Sequence, residues 1–200
     1  MTTPPGRLIA FEGLDQSGKE TQATRLARRL EGHGRLASIA PFPDRGTAIG
    51  AEIEKALRGQ REYHADVMQL LYVANRYEWK PAIATMLAEG RIVICDRYLA
   101  SSVAYGEAQG LDPDWLVDIQ RFLPQPDLTL LLDIAPATAV QRKRANRDRF
   151  ESDLELLERV RRSYHRQAGA AGWHRIDGER APDDVERDVL TVVSRQLALP

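Results

Sequence analysis

The chain has 200 residues, 43% of them hydrophobic and 28% charged, which is typical of one globular domain with a substantial core. Its net charge of −1 gives no bulk electrostatic reason to expect nucleic acid or an anionic membrane as a partner. No apolar run approaches the roughly 20 residues of a membrane helix, and the N-terminus lacks a signal-peptide apolar region. The single cysteine, Cys95, leaves no intrachain disulfide. We expect a soluble cytoplasmic protein that binds neither nucleic acid nor membrane.

Short apolar runs alternate with longer amphipathic stretches, as in parallel strands joined by helices. Strands are predicted at Arg7–Glu12, Leu36–Ala40, Arg91–Cys95, Asp127–Asp133 and Trp173–Asp177. Helices are predicted at Lys19–Gly34, Thr47–Leu57, His64–Gly90, Ser101–Gln109, Pro113–Phe122, Pro136–Arg144, Asp153–Ala171 and Asp183–Leu197. Pro81 is expected to kink or break the third helix. These elements predict one doubly wound α/β domain over residues 1–200, with three α/β/α layers and a five-stranded parallel sheet. Ligands are expected beyond the carboxyl ends of its strands.

The segment Gly13–Lys19 fits the phosphate-binding pattern G-x-x-x-x-G-K, and it joins a predicted strand to a predicted helix, as the motif requires. Its backbone N–H groups and the helix N-terminus attract a polyphosphate, whose terminal phosphates the Lys19 ammonium reaches. The alternative is a glycine-rich turn with a surface lysine, which this context disfavours. The predicted ATP-binding residues of this segment are Gly13, Leu14, Asp15, Gln16, Ser17, Gly18, Lys19, Glu20 and Thr21.

The loop departs from the usual motif at residue 20, where Glu20 replaces the Ser or Thr whose hydroxyl binds Mg²⁺. Thr21 does not simply replace that hydroxyl, because a helix turns by about 100° per residue. Two interpretations stay open: the Glu20 carboxylate holds Mg²⁺, or it only stabilises the helix N-terminus. Asp96, at the end of a predicted strand, is the other expected Mg²⁺ ligand. The alternative role for Asp96 is to cap the following helix.

Five segments in order, spanning about residues 7 to 180, resemble those of the thymidylate kinases. They are FEGLDQSGKETQ at the phosphate loop, FPDRGT from Phe42, LYVANRYE from Leu71, DRY with Ser101 and Ala104-Tyr105, and Pro126-Asp127 with LLLD and Arg149-Phe150-Glu151. No N/T-K-x-D guanine signature accompanies them, which disfavours a GTPase. The resemblance implies a P-loop kinase that uses ATP and Mg²⁺ to convert dTMP to dTDP. It also implies a homodimer and a short lid over about residues 142–152.

The resemblance further implies how the acceptor nucleotide is held. Asp15 approaches its sugar and phosphate, and the guanidinium groups of Arg45 and Arg97 clamp the phosphate. Tyr72 stacks on the base and Arg76, one helical turn later on the same face, reaches a base carbonyl. A place in the core is the alternative for Tyr72 and for Phe42. The expected dTMP-binding residues are Asp15, Phe42, Arg45, Tyr72, Arg76, Arg97, Ser101 and Tyr105.

Some thymidylate kinases carry an arginine where this chain has Gln16. Phosphoryl transfer requires positive charge around the moving group, so the lid is expected to supply it. Arg149 matches the lid arginine of the motif, and Arg147 or Arg144 is the candidate for the missing one; a solvated helix face is the alternative. Arg142 is expected to pack on one face of the adenine, with the loop Asp177–Ala181 on its other side. The expected catalytic residues are Asp15, Lys19, Arg97, Arg147 and Arg149.

A second departure is Gly106, which stands where many family members have a polar residue that touches the base. The choice between dTMP and another pyrimidine monophosphate such as dUMP therefore stays open. A third hypothesis is a nucleotide-binding homologue that has lost phosphoryl transfer because of Glu20. The helix carrying Val67, Leu70, Leu71 and Ala74 either supplies the dimer interface or serves the core.

Overall fold

The computed structural model describes residues 5–142 and 154–198. Its strands are β1 (Arg7–Glu12), β2 (Ala37–Pro41), β3 (Ile92–Asp96), β4 (Leu128–Asp133) and β5 (Trp173–Asp177). Its helices are α1 (Lys19–Gly32), α2 (Ala48–Leu57), α3 (Ala65–Ala88), α4 (Leu99–Ala108), α5 (Pro113–Asp118), α6 (Pro136–Arg142), α7 (Leu154–Gln167) and α8 (Pro182–Leu197). Within these residues, no helix is both long enough and apolar enough to cross a membrane.

The strands form one parallel sheet in the order β2-β3-β1-β4-β5, which confirms the predicted α/β class. Strand β1 is central, with β3 on one side and β4 on the other. The chain fills one half of the sheet first and then crosses to the other, so the strand order reverses beside β1. In sheets of this kind the crevice at the reversal, beyond the carboxyl ends of the strands, is where ligands bind.

Helices cover both faces of the sheet, and β1 shows how the sequence achieves this. Its side chains alternate between the faces. Ile9 and Phe11 pack in a cluster with α1 and α8, whereas Leu8 and Ala10 pack in a cluster that includes part of α3. All four are almost completely buried, as expected of a parallel strand with helices on both sides. The predicted three-layer arrangement is confirmed.

Several predicted boundaries differ from the structure by a few residues, and three differences concern the helices α3, α4 and α5. Helix α3 runs through Pro81 without interruption, so the predicted break is wrong. A proline removes only one N–H from the helix, and Ile83 beyond it is fully buried in the core, which holds the second half in place. Helix α4 begins at Leu99, earlier than predicted, and α5 ends at Asp118 and leaves Phe122 exposed. The predicted lid, residues 142–152, lies outside the described residues except for Arg142.

Candidate active site

A cavity of about 1510 Å³ opens at the carboxyl ends of β1, β2 and β3. Its wall is formed by the phosphate loop, the segment after β2, one face of α3, and the start of α4. The volume exceeds the roughly 300–1,000 Å³ typical of a pocket for one drug-sized ligand, and it suits two nucleotides. The cavity therefore lies where the strand order predicts ligand binding.

The phosphate loop owes its shape to two glycines. Gly13 has φ 138° and Gly18 has φ 93°, values that L side chains rarely adopt. A Cβ atom at residue 13 would also lie 2.4 Å from the Leu132 carbonyl oxygen. Gly18 precedes α1, and no side chain caps the N-terminus of that helix. The first N–H groups of α1 are thus available to an anion.

Lys19 lies inside this loop rather than on the surface, so the alternative of a surface lysine is wrong. Its side chain is buried, and Nζ donates to the Leu14 carbonyl oxygen at 2.8 Å and to Ser17 Oγ at 3.4 Å. Burial lowers the pKa of Lys19, and the nearby carboxylates of Asp96 and Glu12 oppose that shift. The ammonium group therefore lies at the position where the terminal phosphates of a bound nucleotide are expected.

Arg97 brings the loop and α4 together. Its backbone is in the left-handed region at φ 62°, a strained conformation for a residue with a side chain, and its N–H donates to the Phe11 carbonyl at 2.9 Å. The guanidinium group donates to the Gly13 carbonyl at 3.2 Å and to Tyr105 Oη at 3.4 Å, and it forms an ion pair with Asp15. The structure therefore places together Asp15, Arg97 and Tyr105, as the sequence predicted.

The sequence analysis did not identify Glu12, whose carboxylate is completely buried behind Arg97. It accepts hydrogen bonds from Tyr98 N at 2.9 Å, Ser101 N at 3.3 Å, Ser101 Oγ at 2.6 Å and Tyr164 Oη at 3.2 Å. The first two bonds cap the N-terminus of α4, so it is Glu12 and not Asp96 that caps this helix. A glutamate ending an apolar central strand was the available signal, because a buried carboxylate needs partners. No local signal pointed to Tyr164.

Asp96 ends β3 beside the loop, and its buried Oδ1 has no hydrogen-bond partner in residues 5–142 and 154–198. Burial raises the pKa of Asp96; Lys19 opposes the shift, and Glu20 and Glu12 add to it. Glu20 is exposed on the cavity wall. Within the part of the chain that the structure describes, no three His, Cys, Asp or Glu side chains converge as a metal site. Two carboxylates fit Mg²⁺ nevertheless, since this ion completes its shell with phosphates and water.

The face of α3 toward the cavity carries Tyr72 and Arg76. Tyr72 is only half-buried, so it is not the core residue of the alternative interpretation. Arg76 Nη1 donates to Ser102 Oγ at 2.7 Å and to Gln120 Oε1 at 3.1 Å, whereas its buried Nε has no partner. Burial lowers the pKa of Arg76, and the Glu12 carboxylate opposes this. Arg76 thus keeps one buried donor that has no partner among the described residues.

Phe42 lines the cavity and also packs against Trp79 and Tyr98 in the core, and its contact with dTMP stays a prediction. Arg45 follows it on an exposed part of the wall and pairs with Glu54 of α2, with Nε 2.9 Å from Oε2. Contact between Arg45 and a phosphate stays a prediction. It requires either that the ion pair with Glu54 breaks or that Arg45 contacts Glu54 and the phosphate at the same time.

The structure places the other predicted residues in different environments. Thr21, Gln16 and Gly18 line the cavity, whereas Leu14 packs in the core, so only the backbone of Leu14 is available to a nucleotide. Ser101 lines the cavity too, but its hydroxyl donates to Glu12, so a direct bond to dTMP stays a prediction. The lid arginines Arg144, Arg147 and Arg149 lie outside the described residues.

Arg142 lies between two loops at the edge of the cavity. Its Nη1 donates to the Gly178 carbonyl at 3.0 Å and to the Gln16 carbonyl at 3.4 Å, and Nη2 donates to the Glu179 carbonyl at 3.2 Å. These bonds join the phosphate loop to the loop after β5, the segment expected on the other side of the adenine. Stacking of Arg142 on an adenine stays a prediction.

Comparison with known proteins agrees with this geometry. The family model described as thymidylate kinase matches residues 11–189. A thymidylate kinase of Schizosaccharomyces pombe is 34% identical over 194 residues, covering 94% of this chain and 92% of that protein. A probable thymidylate kinase of Pyrobaculum calidifontis is 38% identical, covering 95% and 97%. The solved structure of Candida albicans thymidylate kinase superimposes with a TM-score of 0.86 at 29% identity, covering 97% and 93%. The chain belongs to the thymidylate kinase family.

Proposed function

We propose that this kinase transfers the γ-phosphoryl group of ATP to dTMP and so produces dTDP. The observation that carries the proposal is one cavity with the Lys19 phosphate loop and the partly buried Arg97 guanidinium on one wall and Tyr72 and Arg76 on another. Lys19 and Arg97 suit phosphate groups, and Tyr72 and Arg76 suit a planar base with a carbonyl oxygen. Family membership favours dTMP over dUMP or another pyrimidine monophosphate as the acceptor.

The geometry supports transfer by positioning and by charge. The loop N–H groups and Lys19 hold the β- and γ-phosphates of ATP, while Arg97 holds the phosphate of dTMP. Asp15 pairs with Arg97 and keeps the guanidinium at the boundary between the two nucleotides. The acceptor phosphate oxygen is already anionic, so the reaction needs no strong general base. Alignment of the two phosphates and neutralisation of the moving charge carry the rate.

Mg²⁺ is part of the proposal. The unpartnered Oδ1 of Asp96, with the Glu20 carboxylate beside it, gives an ATP-bound Mg²⁺ a place to be held. When bound, the ion supplies charge neutralisation at the β- and γ-phosphates. Burial, with the Glu20 and Glu12 carboxylates adding to it, raises the pKa of Asp96 and so disfavours its ionised form, which a bound cation would stabilise. The interpretation of Glu20 as only a helix-end charge is the competing one.

The lid completes the proposed enzyme. We assign the positive charge that Gln16 does not provide to Arg147 and Arg149, and the adenine contact to Arg142. Arg142 already reaches the loop after β5 through its bonds to Gly178 and Glu179, which supports the adenine position. The chain over residues 1–200 would then act as one kinase domain whose lid excludes water during transfer.

A homodimer is the proposed assembly, through the outer face of α3. Val67 and Leu70 on this helix are 37% and 46% exposed, so they do not serve the core. Exposed apolar side chains on one helix face favour a partner surface. Light scattering after gel filtration tests this: Leu70→Glu should convert a dimer into a monomer. A wild-type chain that is monomeric at micromolar concentration would contradict it.

We also propose a cytoplasmic location. Cys95 is a buried free thiol, which a reducing compartment maintains, and both nucleotide substrates are met there. Fractionation of cells that express the tagged chain tests this, and recovery in a membrane or secreted fraction would contradict it.

The experiment for the activity is a coupled assay of ADP release with ATP, Mg²⁺ and a panel of dTMP, dUMP, dCMP, UMP and AMP. We expect the highest kcat/KM with dTMP. Turnover that ranks dUMP above dTMP would replace the acceptor, and ATP binding without turnover of any acceptor would support the nucleotide-binding homologue. Arg97→Ala is the loss-of-function variant, because it removes the acceptor clamp together with the contacts that Arg97 makes to Gly13 and Asp15 of the phosphate loop.

A further inference from the structure

Unpartnered buried polar atoms are concentrated at the cavity. Of the eight such side-chain atoms in the described residues, four belong to residues of the cavity wall: Gln69, Arg76, Asp96 and Gln109. A buried acceptor without a partner costs about 1–3 kcal/mol, so it calls for an explanation. Mg²⁺ and a base carbonyl account for Asp96 and Arg76. The Oε1 atoms of Gln69 and Gln109 remain unexplained, and Gln69, which is only 2% exposed, is the one on the helix that carries Tyr72 and Arg76.

Gln69 lies on the same face of α3 as the two residues assigned to the base. It precedes Tyr72 by three residues and Arg76 by seven, and such positions align along a helix. At a rise of about 1.5 Å per residue, Gln69 and Arg76 are about 10 Å apart along the axis, with Tyr72 between them. A pyrimidine ring that stacks on Tyr72 therefore comes within reach of both polar side chains.

Gly106 makes room for Gln69 in this wall. A Cβ atom at residue 106 would lie 3.3 Å from Gln69 Cγ and 2.6 Å from Leu116 Cδ1. The absence of a side chain at 106 therefore lets Gln69 and Leu116 fill the space next to Tyr105. The polar group on this side of the base site comes from α3 and not from α4.

We propose that Gln69 is a specificity-determining residue that recognises the imide edge of the pyrimidine. The inference rests on the proposed phosphorylation of dTMP. Gln69 Oε1 accepts the N3–H of thymine, while Arg76 donates to the adjacent carbonyl oxygen. Cytosine has an acceptor at N3 and an amino group beside it. In the same position its N3 would face the Gln69 carbonyl oxygen and its amino group would face the Arg76 guanidinium, so neither hydrogen bond would form. The pair does not touch the 5-methyl group, and uracil shares the same edge.

The test compares wild-type protein with Gln69→Met, which keeps the length of the side chain and removes both of its hydrogen-bonding atoms. The acceptors are dTMP, dCMP and N3-methyl-dTMP, which lacks the donor. We expect the KM for dTMP to rise about fivefold to tenfold in the variant, as for the loss of one hydrogen bond, with kcat nearly unchanged. The preference for dTMP over dCMP and over N3-methyl-dTMP should fall by a similar factor.

Gln22→Met is the matched control. Gln22 is also a buried glutamine with an unpartnered Oε1, but it does not line the cavity, and its Nε2 donates to the Pro182 carbonyl. Its KM for dTMP should equal that of the wild type. An unchanged KM and unchanged preferences in Gln69→Met would overturn the inference while the proposed function stands.

Two further results keep the inference testable. If Gln69→Met does not fold, Gln69→Leu replaces it as the variant. The wild type alone also tests the inference, because equal kcat/KM for dTMP and N3-methyl-dTMP in the wild type would overturn it. If the wild type does not turn over dTMP, the proposed function fails first, and the inference fails with it. The wild-type assay is therefore read before any variant.

Discussion

The Glu12 carboxylate offers the most demanding test of the site, because its role follows from tertiary contacts alone. In Glu12→Ala, the backbone N–H groups of Tyr98 and Ser101 lose the acceptor that caps α4. The hydroxyls of Ser101 and Tyr164 keep each other at 2.9 Å. Two orphaned buried donors cost about 2–6 kcal/mol together, and release of the buried charge offsets part of this. We expect a net loss of about 2–4 kcal/mol in the free energy of unfolding.

Urea denaturation of wild type, Glu12→Ala and Glu12→Gln measures this. Glutamine keeps one carbonyl oxygen for the two N–H groups, so its loss should be the smaller by at least about 1 kcal/mol. Both variants should lower kcat by about tenfold or more, since Ser101 and Tyr164 also hold Arg97 and small displacements at a phosphoryl-transfer site are costly. Equal urea midpoints for wild type and Glu12→Ala would refute the capping role.

Three other predictions test separate parts of the molecule. Glu20→Thr should change the ratio of kcat with Mg²⁺ to kcat with Mn²⁺, and an unchanged ratio would leave Glu20 as a helix-end charge only. Arg142→Ala should raise the KM for ATP about threefold to tenfold and leave the KM for dTMP unchanged, because Arg142 is expected to stack on the adenine and its bonds join two loops on the ATP side. Asp133→Asn should lower the free energy of unfolding by about 1–2 kcal/mol at pH 7, because it weakens the two hydrogen bonds from Arg161, which measure 2.7 and 3.1 Å. This value is discounted for the partial exposure of Arg161. Burial raises the pKa of Asp133, but the hydrogen bonds from Arg161 and His165 lower it, and the net shift is downward. Because the pKa of Asp133 is lower in the folded state than its unfolded value of about 3.9, the carboxylate stabilises the fold above that value. This stabilisation is lost as the pH falls through the folded-state pKa, so the urea midpoints of wild type and Asp133→Asn should converge below about pH 4.

The phosphate loop illustrates what local pattern could predict. Its glycines, its lysine and its place between a strand and a helix are all within seven residues, and local backbone geometry determines its shape. The boundaries of helices were less predictable because they depend on partners elsewhere. Helix α4 begins at Leu99 because a glutamate from β1 caps it, and α3 continues through Pro81 because its second half is buried in the core.

The α3 face marks the limit of sequence reasoning at the site. The spacing of Tyr72 and Arg76 was recognisable as one helix face, whereas Gln69 carried no signal until the cavity and the gap at Gly106 were known. Arg45 shows the converse: its motif predicted a phosphate contact, and the structure adds a competing ion pair with Glu54.

The sequence by itself determined the parallel α/β architecture, the phosphate loop and the order of the site motifs, because strand and helix periodicity and loop geometry are local properties of the chain. Tertiary structure alone decided which buried polar atoms find partners. Glu12 is satisfied by groups 86, 89 and 152 residues away, whereas Gln69 Oε1 and Asp96 Oδ1 at the cavity find no partner in the part of the chain that the structure describes. Hydrogen bonding in a dry interior depends on distances between atoms that are remote in the chain, and no local pattern contains those distances.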